Sequence, residues 1–228
     1  MTTRRRLAAA AAGVLALLAL PALAGCRVEP GAAAFVGDLR IPEQRVDEIV
    51  GSVGDRVPAE QRGGFRQEVV SMLVLIEAGT RYAQAQEVQL AQAQPATVAE
   101  RLKLPVGAAY TQLVAHYRSV MTALEGRATP AAPSEADQRE AFANATIDGQ
   151  PVTNSFDQVR QFFNEETMGA AVGNRNLLAE VLRGADVAVS PRYAPVVHQV
   201  RVTIANAQSW LGVPLGDAVT DPAVVDRG

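Results

Sequence analysis

Val69-Val70-Ser71-Met72-Leu73-Val74-Leu75-Ile76 is apolar but for one hydroxyl, and reading it as strand or as helix decides the fold. A fully buried strand has this composition too. The flanks decide for helix, because Arg66-Gln67-Glu68 before the run and Glu77 to Glu87 after it hold no turn residue except Gly79. Phe65, Val69, Met72, Leu73, Ile76, Thr80 and Ala83 then share one stripe of a helix from about Phe65 to Glu87. Its centre is apolar nearly all round, so the helix is predicted to be the core element, touched on more than one side.

Upstream, Ala34-Phe35-Val36 and Leu39-Arg40-Ile41 flank Gly37-Asp38, which is either a two-residue hairpin turn or a strand with a turn in it. Pro42 suits the first turn of a helix, and Val46, Ile49, Val50 and Val53 follow at helical spacing. Gly54 to Gly64 reads as a break. Downstream, Thr97 with Glu100, Ser134 with Asp137 and Ser155 with Gln158 each place a hydroxyl three residues before a carboxylate or amide, the capping-box pattern that opens helices. The first opens a short helix that Pro105 stops. Val106, Tyr110, Leu113, Val114, Tyr117, Val120, Met121 and Leu124 make a clean amphipathic stripe, ended by Gly126 and the Thr129-Pro130-Ala131-Ala132-Pro133 loop.

Ser134 to Ala145 reads as a polar helix, Thr146 to Asn154 as a loop, and Ser155 to Arg183 as one long helix. Gly169 and Gly173 lie inside it, each costing about 1 kcal/mol relative to Ala, either for close packing or a hinge or as tolerated weak spots. The period then changes to two, with Val187 and Val189, and later Val200, Val202 and Ile204, alternating with other residues. With no further strand candidates, the strand near Val36 and those near Val187 and Val202 are predicted to pair with one another. The expected fold is therefore mainly α, a helical domain over residues 34–211 with a small β element formed by its N- and C-terminal strands. Pro, Asp and Gly accumulate over 212–228, which reads as a flexible tail.

The first 25 residues read differently. Arg4, Arg5 and Arg6 precede an uncharged Ala/Leu run from Leu7 to Leu20, and Pro21 opens a short segment ending in Leu23-Ala24-Gly25-Cys26. These are the three parts of a secretory signal peptide. From Leu7 to Cys26 the run could just span a bilayer, which needs roughly 20 apolar residues, so an uncleaved anchor is the competing reading. Ala adds little insertion energy, and Leu23-Ala24-Gly25 before the sole Cys matches a lipobox. Cys26 is thus the expected lipidation site, with 26–33 a lipidated tether, membrane lipid the partner of Cys26, and the extracytoplasmic face of the cell membrane the location. Two or more acyl chains hold a protein on a membrane where one binds only marginally.

Composition excludes other classes. Of 228 residues one is Cys and two are His, which leaves no thiolate cluster, no intramolecular disulfide and no expected metal or cofactor. Asp and Glu outnumber Lys and Arg by 24 to 21, and three of the arginines lie in the expected signal, so a nucleic-acid partner is not expected. His116 and His198 have no nucleophile elbow or Cys partner, and Glu165-Glu166 are adjacent on a helix and diverge, so no enzyme activity is expected. Tyr110, Tyr117 and Met121 are either core residues or part of an adaptable apolar groove, which Met and Tyr line well.

Ala33-Ala34-Phe35-Val36-Gly37-Asp38-Leu39-Arg40-Ile41, leading into a helix, resembles the opening of the SurA-type chaperone domain. Val187-Ala188-Val189-Ser190-Pro191-Arg192-Tyr193 is similar to the Val-x-Val-Asn-Pro-Arg-Tyr-Gly box that follows the last long helix in actinobacterial lipoproteins of that kind. Val36, Gly37, Asp38, Ile41, Val187, Val189, Pro191, Arg192 and Tyr193 carry the resemblance. Ser190, Ala194 and Pro42 depart from it, standing where Asn, Gly and Ser or Thr are usual. The resemblance implies a helical chaperone core that holds unfolded or exported polypeptides. The parvulin isomerase module of SurA and PrsA would fall between Ala145 and Ser155, where this chain has a short loop. A structural or adapter lipoprotein that binds one envelope partner is the alternative.

Overall fold

The computed structural model describes residues 29–216. The expected signal peptide with Leu23, Ala24, Gly25 and Cys26, and residues 217–228 of the expected tail, lie outside them.

β1 (Ala32–Val36) and β2 (Leu39–Pro42) form a hairpin in which Val36 faces Leu39. The turn is the two-residue one, made possible by Gly37 at φ +55°. Pro42 ends β2 in an extended conformation and stands at the N-cap position of α1 (Glu43–Gly51), just before its first turn and with no capping bond of its own; the buried Val46 and Ile49 of α1 face the core. Next comes α2 (Arg62–Ala85), with Val69, Val70, Val74 and Leu75 fully buried. It packs against α1, β1 and two later helices, so its nearly continuous apolar centre is matched by neighbours on several sides. α3 (Pro95–Leu102) begins at Pro95, two residues before Thr97, because proline loses nothing at a position whose N–H has no helical partner. α4 (Ala109–Glu125) buries Leu113, Val120, Met121 and Leu124 against α2 and α3.

α5 (Glu135–Ala143) opens on the Ser134–Asp137 capping box. Asp137 also meets Arg175 across the fold, and the two form a largely buried ion pair. The Ser155–Arg183 segment is not one helix. α6 (Phe156–Val159) gives way to a 3-10 turn, and α7 (Glu165–Gly184) starts afresh on a reciprocal Asn164–Thr167 box. The break lets Phe156 and Phe163 turn inward onto Phe142, with ring centroids 5.5 and 6.0 Å from it.

The fold class needs correction: about 53% of the structure is helix and 17% strand, in two antiparallel sheets, which is mixed α/β and not mainly α. The first sheet has the order β2-β1-β5, with β5 (Val187–Val189) beside β1 and Val187 opposite Val36. The strand around Val202 does not join it. β6 (Val197–Ile204) pairs along its whole length with β7 (Ala207–Pro214) in a second sheet of order β4-β3-β7-β6. β3 (Thr146–Ile147) and β4 (Gln150–Pro151) are a small hairpin turned by Asp148 and Gly149, both at positive φ.

β7 also carries the fold past residue 211. Gly212 and Pro214 have the composition of a tail, yet each fits its place. A Cβ on Gly212 would lie 2.8 Å from Val197, and Pro214 sits at the strand end with Leu215 buried beyond it. At the other boundary Ala32 and Ala33 are buried strand residues, not tether.

Candidate functional site

The two short motifs around Gly37 and around Pro191 converge. Val36, Ile41 and the Gly37-Asp38 turn meet Val187 and Val189 in the first sheet, and the Ser190 N–H donates to the Ala33 carbonyl at 2.9 Å. Pro191 then turns the chain so that Tyr193, 3% exposed, drops onto α1 and α2. Its hydroxyl donates to the Glu43 carboxylate and accepts from Arg66 at 3.0 Å. Arg192 reaches the other Glu43 oxygen at 3.2 Å, Arg66 also holds Asp47 at 2.6 Å, and the Gln67 amide donates to the Tyr193 carbonyl. Two carboxylates thus meet two guanidinium groups around one phenol. Burial, with the Glu43 bond added, raises the Tyr193 pKa, so the phenol keeps its proton. This network is a clamp that locks the segment after β5 onto the first helix.

The cavities lie elsewhere. Two neighbouring clefts run beside β6. One of about 270 Å³ is lined by Tyr117, Met121, Leu124 and Glu125 of α4, Asn174, Leu177 and Leu178 of α7, and His198 to Arg201. The other, about 420 Å³, lies between the first half of α2, at Gln67, Glu68, Ser71 and Met72, and residues Pro195 to Gln199. Tyr117 and His198 border both. Their rings meet edge-on with centroids 6.1 Å apart, and Tyr117 Oη lies 3.4 Å from His198 Nε2.

Burial pushes the Tyr117 hydroxyl up to about 12, with Glu125 and Glu68 adding to it, and pushes His198 down to about 4. At neutral pH the partition between the clefts is therefore an uncharged phenol against an uncharged imidazole. Charge sits at the margins, on Glu68, Glu125 and Arg201. Such a surface offers neutral polar groups and apolar area, and suits a neutral polar backbone better than an ion.

The three candidate groove residues separate. Tyr110 is core: its ring packs edge-on against Phe65 at 5.0 Å, and its hydroxyl donates to Glu68 at 3.2 Å. Met121 is buried at the wall of the first cleft, and Tyr117 alone stands half-exposed between the two. His116 is exposed on α4, whereas His198 is drawn in. The stripe on α4 pointed to Tyr117, but its juxtaposition with His198, 81 residues away, left no mark in the sequence. Glu43, Arg66 and Asp47 were missed for the same reason.

Among the described residues no group of three or more His, Cys, Asp or Glu is placed to hold a metal, and no helix is long and apolar enough to cross a membrane. Compared with protein-family models, curated proteins and solved structures, the chain matches none.

Proposed function

We propose that the chain is a lipid-anchored extracytoplasmic holdase, related to the SurA-type chaperones but without an isomerase module, that keeps unfolded or exported polypeptides from aggregating near the membrane. Cys26 carries the anchor. The reading is supported above all by the paired clefts beside β6, which are open, uncharged at their centre and bordered by Tyr117 and Met121, residues that adapt to varied side chains. Their charged residues, Glu68, Glu125 and Arg201, are exposed and of both signs, which suits a binder of many chains better than a site for one ion.

Two measurements test it. The lipidated protein should slow light scattering by a reduced, unfolded client protein when present at equal molar amounts, and no effect at large excess would refute the holdase. Cys26→Ala should move the protein from the membrane fraction to the soluble one. Crosslinking should give many adducts; a single saturable one would favour an adapter for one envelope partner.

A further inference from the structure

The two edges of the β6–β7 hairpin are treated differently. In an antiparallel pair, residues alternate between those that bond the partner strand and those whose N–H and C=O point away from it. The register identifies which are which. Pro214, which has no N–H, faces Val197, and Gly212, facing Gln199, sends its N–H away from the pair to Glu140 Oε1 at 2.7 Å. Trp210 faces Arg201, and its carbonyl is taken by the Asn144 amide at 3.2 Å. Gln208 faces Thr203 and pairs with Thr146 of β3. Each outward position of β7 thus either makes a hydrogen bond beyond the hairpin or, at Pro214, has no N–H to leave open.

By the same register, Val197, Gln199, Arg201 and Thr203 turn their N–H and C=O away from β7, and among the described residues these backbone groups have no partner. All four residues are exposed, Val197 to 43%. Proteins shield long edges of this kind because they template pairing with another chain, and here Arg201 is the one charged residue along it. Both clefts lie along this strand, at Pro195 to Gln199 and at His198 to Arg201, with Tyr117 of α4 across from it.

We infer that the β6 edge is where a client is held: an extended, uncharged segment of an unfolded polypeptide adds to the second sheet as a fifth strand, its alternate side chains entering the clefts at Tyr117. A row of N–H and C=O groups repeating every second residue is met in full only by another extended backbone, which every unfolded chain supplies. Side-chain selection is then secondary, consistent with an uncharged partition. A second copy of this chain fits less well, since its own β6 would bring a whole domain into the space α4 borders. The inference rests on the holdase reading and deepens it.

The test uses the full chain in detergent micelles and a fluorescent ten-residue peptide of alternating Thr and Val with Lys at both ends. A second peptide is N-methylated at alternate residues, so one backbone edge cannot donate while every side chain is kept. The unmodified peptide should bind at least about tenfold more tightly than the methylated one, the loss of two or three backbone bonds. Gln199→Pro removes an outward N–H without touching the bonds to β7, and should weaken the unmodified peptide about tenfold relative to Gln199→Ala. Should Gln199→Pro not fold, the peptide pair on the unaltered chain still decides.

Equal binding of both peptides, with aggregation still suppressed, would overturn the edge and leave the holdase standing. Failure of both peptides together with failure to suppress aggregation would overturn both. Failure to bind peptide, with a dimer that Gln199→Pro dissociates, would assign the edge to a second copy and overturn the inference.

Discussion

Gly169 and Gly173 stand four residues apart on α7, and alanine in their places should act with opposite sign. Both substitutions raise helix propensity by about 1 kcal/mol and restrict the unfolded chain. At Gly169 the new methyl would find Glu165 Cγ at 3.3 Å, on a side chain free to swing, and then the Ala131 carbonyl oxygen at 3.6 Å and Pro130 Cβ at 3.7 Å, both at ordinary contact distance. Gly169→Ala should therefore stabilise by about 0.5–1 kcal/mol. At Gly173 the methyl would lie 2.2 Å from the Thr129 carbonyl oxygen, 2.8 Å from its carbon and 3.1 Å from Pro130 Cα. These are backbone atoms, so the loop after α4 must lift from α7. Overpacking of this kind costs about 1–3 kcal/mol, and lifting the loop also threatens the Ala131 N–H bond to the Gly169 carbonyl, worth about 1 kcal/mol more.

After the propensity gain, Gly173→Ala should destabilise by about 1–3 kcal/mol, leaving the two variants about 3 kcal/mol apart. At about 2–4 °C per kcal/mol for a domain of this size, their melting temperatures should differ by about 6–12 °C. Thermal unfolding of the chain without residues 1–25, followed by circular dichroism at 222 nm, reads this directly. A Gly173→Ala protein as stable as the parent, or more so, would refute the close approach of loop and helix and return both glycines to tolerated weak spots.

The clamp predicts that Tyr193→Phe loses about 1–2 kcal/mol in urea unfolding, and that the same change costs much less once Glu43→Ala has removed the shared acceptor; additive losses would show that the two do not interact. Acid should act through His198. Its pKa is about 4 when folded and ordinary, near 6.5, when unfolded, so the unfolded state takes up the proton first as pH falls. Stability is unaffected above pH 6.5 and falls by up to about 3 kcal/mol between pH 6.5 and 4, a slope that His198→Phe should flatten. A pH profile identical in the variant would show that His198 is not held neutral.

Helices were legible wherever burial follows one face over several turns. α2 and α4 carry long apolar stripes, and the start of α5 is written in Ser134 and Asp137. The break at Asn164 was hidden because apolar residues on both sides keep helical spacing, and the reciprocal Asn164–Thr167 contacts use residue types outside the Ser/Thr to Glu/Gln pattern. β7 was hidden for a different reason. Its inward positions include Ala207 and Ser209, small residues with little hydrophobic signal, while Gly212 and Pro214 imitate a tail. β7 is the partner of β6, and without a legible partner the β6 pattern points to the wrong sheet. Of the site, Tyr117 was visible on its stripe. The clefts, the pairing with His198 and the open edge are products of tertiary placement, which no local pattern encodes.

The β1–β5 pairing and the clamp have a consequence for the order in which the molecule assembles. Glu43 and Tyr193 are 150 residues apart in the chain, and β1 gains its second neighbour only when Val187 to Val189 are present. Synthesis proceeds from the N-terminus, so β1, β2 and α1 emerge first and wait for almost the whole remaining domain. Until then a short hairpin, marginal by itself in water, holds one strand edge open and α1 lacks the contact that pins it. Closure is a single late event that joins the beginning of the domain to the stretch after its last helix, and contacts so distant in sequence are the slow ones to form. A chain of this design spends its early life exposing the kind of unpaired strand that a holdase exists to shield.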